Sequence, residues 1–152
     1  MIYILGLLMG VVAGLRAMIP AAAVSWAAYL GLLKLDGTWL SFLGSIWAVI
    51  ILTVLALAEL VTDQLPSTPS RKVPQQFGAR LIIGAVAGIA IAGSAGPLLG
   101  ALAGLVGAGI GTYGGAALRG RLAAQFGRDP PAAFIEDAIA MVGAALIVLA
   151  LK

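Results

Sequence analysis

The chain has no cysteine and no histidine. Without cysteine there is no disulfide, no thiol chemistry and no Cys-type zinc site. Without histidine the usual metal ligand and the usual general base near neutral pH are missing. Charge is scarce as well. Asp, Glu, Lys and Arg make up 10% of 152 residues, against about 25% in soluble domains, which is too little to clothe a soluble fold of this size. No nucleophile elbow or phosphate loop is visible. Gly107-Ala-Gly-Ile-Gly111 follows no strand, and no Lys-Ser/Thr comes after it. These absences predict no catalytic residues, no cofactor and no enzyme activity. Basic and aromatic residues do not interleave, so the formal charge of +3 does not point to nucleic acid.

What is present is oil: 62% of residues are hydrophobic and 21 are glycine, so the solvent that fits is lipid. The reading is all-α, a polytopic transmembrane helix bundle forming a single integral membrane domain over residues 1–152. About 20 apolar residues cross the ~30 Å hydrocarbon core. Four stretches qualify, Trp39–Leu60, Phe77–Ala95, Leu98–Leu118 and Ala132–Leu151, and lipid requires each to be helical because it satisfies no free backbone group. The N-terminal stretch Ile2–Leu33 is too long for one upright span. It is either a helix over Ile2–Ala13, a turn at Gly14–Arg16 and a second helix over Ala17–Leu33, or one tilted helix kinked near Pro20. The clustering of Gly14, Arg16 and Pro20 favours the broken form, giving five or six helices in all. Met1–Leu15 lacks a basic leader and a small-x-small cleavage site, and is expected to be retained.

Punctuation places the loops at Lys34–Gly37, Gln64–Gln76, Ser94–Pro97 and Arg119–Pro131. The second and fourth lie two crossings apart, hence on one side, and carry Arg71, Lys72, Arg119, Arg121 and Arg128. The other side carries Lys34 and Lys152. The positive-inside rule puts the basic loops in the cytoplasm of a cell inner membrane, with the C-terminus periplasmic or extracellular. The N-terminus lies outside if the first segment is a hairpin and inside if it is one helix. Trp26, Trp39 and Trp47 include interface anchors, with Trp39 the best placed.

A shift of 57 residues lays Arg71 on Arg128, Pro74 on Pro131, Phe77 on Phe134 and Ile82 on Ile139, and opposes Arg80 to Asp137. This reads either as a parallel internal hairpin repeat, of the kind that places transporter sites at repeat interfaces, or as the ordinary occurrence of Pro and aromatics at membrane boundaries.

The most informative residues are the ionisable ones at the margins of apolar segments: Arg16, Glu59, Asp63, Arg80, Glu136 and Asp137. A charge at mid-bilayer costs at least ~2.5–3.5 kcal/mol, so each is paired, wetted or near headgroups. Five of the six fall at the same end of their helices, and Arg16 joins them if the first segment is a hairpin. Glu59 and Asp63, four apart, share a helix face. Glu136 and Asp137 are adjacent, and only one of them need face the bundle. One reading pairs Arg16 and Arg80 with Glu59, Asp63 or Asp137. A second makes the acidic excess, unless Arg119 and Arg121 offset it, a cation or proton site, with Glu59 and Asp63 as hard oxygen ligands for any metal. A third gives Arg71, Lys72, Arg119 and Arg121, with Arg16 and Arg80, to lipid phosphates.

The small-xxx-small patterns Gly84–Gly88 and Gly100–Gly104 predict close helix packing, either within the chain or at the seam of a homo-oligomer, a dimer being favoured. The lipid bilayer itself is the other expected partner.

At Gly14-Leu-Arg-Ala-Met-Ile-Pro20, Glu59-Leu-Val-Thr-Asp-Gln-Leu-Pro-Ser-Thr-Pro-Ser-Arg71 and Phe134-Ile-Glu-Asp137 the chain resembles a bacterial family of small inner-membrane proteins designated domain of unknown function 4126. The resemblance covers most of the chain, and the acidic helix end followed by Leu-Pro-x-x-Pro-x-Arg is its most specific part. It implies membrane location and emphasis on Asp63, but no activity. Two functions remain. One is a homo-oligomeric transporter or channel for a cation or proton-coupled solute. The other is a non-transporting scaffold that binds lipids or partner helices. Carboxylates each bonded to an arginine would favour the second.

Overall fold

The computed structural model describes residues 1–65, 70 and 72–152; the expectations for Arg71 and for the prolines at 66 and 69 lie outside the described residues. Among the described residues there are six α-helices and no strand: α1 (Ile2–Leu15), α2 (Met18–Tyr29), α3 (Ile46–Thr62), α4 (Pro74–Ala92), α5 (Pro97–Phe126) and α6 (Asp129–Leu149). Three are long and apolar enough to cross a membrane, namely α4 with its 3-10 extension to Ala95, α5 and α6.

The expected count of four clear spanning helices is therefore not confirmed. Trp39–Leu60 is not helical throughout. Residues 39–45 form turns and a 3-10 segment, and α3 begins only at Ile46, where the Ser45 side chain accepts from the amide of Ala48 at 3.2 Å. An N-cap of this kind starts a helix wherever its oxygen sits, whatever the hydropathy before it. The result is a 17-residue helix.

Two other boundaries move for one reason. The expected loop Arg119–Pro131 is mostly helix: α5 runs on to Phe126 and stops at Gly127, whose φ of 70° is the left-handed conformation that ends helices. Pro130 and Pro131 lie in the first turn of α6, and Pro74 opens α4. Proline is tolerated there because the first amides of a helix have no partner inside it.

The first segment is the broken form. α1 ends at Leu15, Arg16 is extended at φ −140° and ψ 116°, and α2 starts at Met18. Pro20 sits in the first turn of α2 and does not kink it. The two helices form a hairpin. Tyr3 of α1 donates to the Ala95 carbonyl at 2.8 Å, and Gly14 lies against the α5 backbone at Ala108 and Thr112. α2 then returns, with Ala17 beside Glu59 and Trp26 beside Thr53. At 1.5 Å per residue α1 and α2 reach about 21 and 18 Å, short of a ~30 Å core. The hairpin tip therefore falls among the other helices, not beyond them. Along the chain the directions alternate, so both termini lie at the end of the bundle opposite the tip.

Glycines hold α1, α4 and α5 together. Gly10 meets Gly104, Gly84 meets Gly104, Gly88 meets Gly100, and Gly107 and Gly111 meet α1. A Cβ on Gly84 would stand 2.7 Å from the Gly104 carbonyl oxygen and 2.8 Å from the Ala108 methyl. Both small-xxx-small patterns thus pack within the chain. Gly109 and Gly114 have no atom within 4 Å of where a Cβ would be.

Candidate functional site: a buried charge layer at the hairpin tip

A helix broken inside the fold leaves carbonyls at one cut end and amides at the other, and each must find a partner. Here both ends are closed by side chains from other helices. Arg80, the seventh residue of α4 and 2% exposed, points its Nη1 at the last carbonyls of α1, with distances of 3.4 Å to Ala13, 3.2 Å to Gly14 and 2.8 Å to Leu15. Glu59, near the end of α3, accepts from the amides of Ala17 and Met18, one carboxylate oxygen each at 2.8 Å. Cation at a helix C-terminus and carboxylate at a helix N-terminus is the arrangement that helix dipoles favour.

Between the two ends stands Arg16, fully buried. Its Nη1 pairs with Oδ2 of Asp63 from α3. Its Nε donates to Oδ1 of Asp137 from α6 at 2.6 Å. Asp137 also accepts from Gln64 Nε2 at 3.0 Å. Arg80 Nη2 lies 3.8 Å from Glu59 and 3.9 Å from Asp63. Helix periodicity delivers these groups: Glu59 and Asp63 share one face of α3, and Arg80 and Asp137 lie about 9 and 12 Å in from the starts of α4 and α6.

Five of the six expected charges, Arg16, Glu59, Asp63, Arg80 and Asp137, are joined by the arginine–carboxylate pairing expected for Arg16 and Arg80. Glu136 and Asp137 divide the work: both are buried, and Glu136 turns to Arg119, 3.4 Å away. This corrects the place of Arg119. It is not in a loop facing headgroups but on the extended α5. It donates to Asp129 at 2.9 and 2.5 Å and to the Asp63 carbonyl at 3.3 Å. Asp129 and Glu136 make further contacts besides these. Arg121 and Arg128 are exposed, and Lys72 places its ammonium 5.9 Å from the Tyr113 ring centroid. Of the lipid-phosphate candidates, Arg16, Arg80 and Arg119 are engaged inside the protein, while Lys72 and Arg121 face outward.

Each of the four carboxylates Glu59, Asp63, Glu136 and Asp137 thus has an arginine within 4.0 Å. Among the described residues no three acidic side chains converge as a metal ion would require. Glu59 gives both oxygens to amides, and Asp63 turns Oδ2 to the Arg16 and Arg80 guanidinium groups. Asp129 and Gln64 are members of the layer that the sequence does not single out. One signal was legible: between Leu118 and Phe126 the sequence Arg-Gly-Arg-Leu-Ala-Ala-Gln has no strong helix stop, so α5 has reason to continue.

Comparison with curated proteins gives no match, and comparison with solved structures gives none. The family model described as a domain of unknown function (DUF4126) matches residues 3–151, almost the whole chain, and the protein belongs to that family.

Proposed function

We propose that this is an integral membrane protein of the cell inner membrane whose charge layer is a lock: a non-transporting scaffold that binds lipids or partner helices and carries out no catalysis. The observation behind this reading is that each carboxylate of the layer meets an arginine. Glu59 and Arg80 also bond the cut ends of α1 and α2. Desolvated charges are costly unless every partner is present, and this set is supplied from within the chain. The basic end of the bundle, with Lys72, Arg121 and Arg128, faces the cytoplasm on this reading, and both termini face away from it. A homodimer would use the outward faces, since the glycine patterns are consumed inside the protomer.

A second reading, transport, has its own observation. Half-helices that meet inside the bilayer are the way many transporters build a site at the membrane midplane, and the α1–α2 hairpin stops short of crossing. Flux in liposomes across Na⁺, Mn²⁺, Ca²⁺ and H⁺ gradients separates the two. The scaffold reading expects wild type and Asp63→Asn to match protein-free liposomes for every gradient. Flux in wild type that Asp63→Asn abolishes would reverse the choice.

A further inference from the structure

At the end of the bundle away from the charge layer, the α2–α3 connection folds over the α4–α5 turn and encloses a pocket of about 390 Å³. Its floor is apolar, with Leu35 and Leu40 both buried. Its rim carries Lys34, Asp36, Trp39 and Ser94, all exposed. The loop is preformed. Gly37 takes φ 74°, and the Thr38 hydroxyl donates to the Leu35 carbonyl at 2.7 Å and accepts from the Leu40 amide at 3.2 Å.

The charges on this rim differ in kind from those of the inner layer. Lys34 and Asp36 are of opposite sign and two residues apart. Yet among the described residues neither forms an ion pair with the other or with any third group. A simple anion or cation held by one of them would face the other's like charge. A ligand bearing both signs a few bonds apart would satisfy both. Trp39 stands 66% exposed at the level where α4 ends, the depth at which indole rings sit among headgroups. Its face is also a platform for a cation.

We infer that this pocket binds a zwitterionic headgroup carrying a phosphate and a primary ammonium. Lys34 takes the phosphate, Asp36 and the Trp39 face take the ammonium, and the Leu35–Leu40 floor takes the first apolar carbons. A primary ammonium has three hydrogens to give a carboxylate, which a quaternary one lacks. The inference uses none of the charge layer and stands or falls separately from the scaffold reading.

The test uses purified protein in detergent with Trp26→Phe and Trp47→Phe, so that Trp39 reports alone. Its fluorescence is titrated with short-chain phosphatidylethanolamine, phosphatidylcholine and phosphatidylglycerol of equal chain length, and with water-soluble phosphoethanolamine. The expected result is saturable binding of phosphatidylethanolamine in preference to the other two lipids. Lys34→Gln and Asp36→Asn should each weaken it about tenfold, the loss of one charge-assisted contact, and Lys34→Arg should keep it. Both residues are exposed and unpaired, so these variants keep the fold. Phosphoethanolamine binding as tightly as the lipid would uphold the site and assign it to a soluble ligand. Equal binding of all three lipids, binding of phosphatidylglycerol that improves in Asp36→Asn, or indifference to both charge variants would overturn the inference.

Discussion

The two arms of the N-terminal hairpin are of similar length, but α1 carries three glycines and α2 none, and they are held in opposite ways. α1 is fixed by close backbone approach. Gly10 and Gly14 let it lie directly on α5, and α4 closes over the same seam through Gly84 and Gly88. α2 has no such seam. It is tethered at points: the Glu59 carboxylate on its first amides, the Ser25 hydroxyl donating to the Leu43 carbonyl at 2.6 Å, and Trp26 Nε1 donating to Thr53 Oγ1 at 3.1 Å. Apolar grooves of about 470 and 460 Å³ run beside it, one between α3 and α4 and one between α3 and α6. In lipid, dispersion and hydrogen bonds must supply association, because tails are as apolar as the side chains. α1 draws on the first and α2 on the second. The difference predicts that a buried probe in α1 is exposed more slowly than one in α2.

The absence of native cysteine makes this comparison measurable, since a single cysteine at Ala13 in α1 or Ala27 in α2, both fully buried, reports local opening by its rate of thiol labelling. The largest effect should come from Arg16, which stands at the junction of the arms. Arg16→Ala leaves Asp63 with Arg80 alone at 3.9 Å and Asp137 with only the neutral Gln64, and should cost about 3–5 kcal/mol, read as lost unfolding free energy in detergent, with both cysteines labelling fast. Replacing all three by apolar or neutral residues (Arg16→Met, Asp63→Asn, Asp137→Asn) should recover most of that loss. A single Arg16→Ala variant as stable as wild type would mean that the layer holds nothing together. Next comes Gly104→Ala, where the added methyl meets the Gly84 backbone. Overpacking of this kind costs about 1–3 kcal/mol and should speed labelling at Ala13 more than at Ala27. Gly114→Ala, into open space, should do neither.

Much of this was legible in the sequence. The break at Gly14–Pro20, the shared face of Glu59 and Asp63, and the meeting of Arg16, Arg80 and Asp137 all follow from helix periodicity and from the cost of isolated charge in lipid. What did not follow was decided by capping. Ser45 sets the start of α3 and removes the fourth full-length span, and no hydropathy count sees a hydroxyl. Proline in a first turn reads as a loop residue by composition, so composition alone ends α5 early, starts α6 late and sets Arg119 in the loop between them. Glu59 reads as a partner for a cation, and besides meeting Arg80 it caps an amide pair. That role is visible only once α2 is known to start at Met18, because backbone groups carry no letter of their own.

Smaller effects sharpen the contrast on the α2 side. Glu59→Gln keeps one acceptor oxygen but loses the charge and one of the two amide bonds. Caps of this type are worth about 0.5–2 kcal/mol. The variant should speed labelling at Ala27 and leave Ala13 near its wild-type rate. If Ala13 responds equally, the two arms open as one unit and the distinction between them fails.

Trp26→Phe should have the smallest effect, and its size decides where the looseness of α2 resides. The substitution removes one hydrogen bond to Thr53 at the outer end, while the ring remains over the groove between α3 and α6. A neutral bond at a partly exposed position is worth about 0.5–1.5 kcal/mol at most. If labelling at Ala27 rises as much as in Glu59→Gln, the outer tether matters as much as the cap, and α2 is pinned at both ends. If it stays near wild type, α2 pivots on its capped first turn and its outer end already moves. In that case the motion of the hairpin is a swing of α2 and α3 about the charge layer, with α1 as the fixed post.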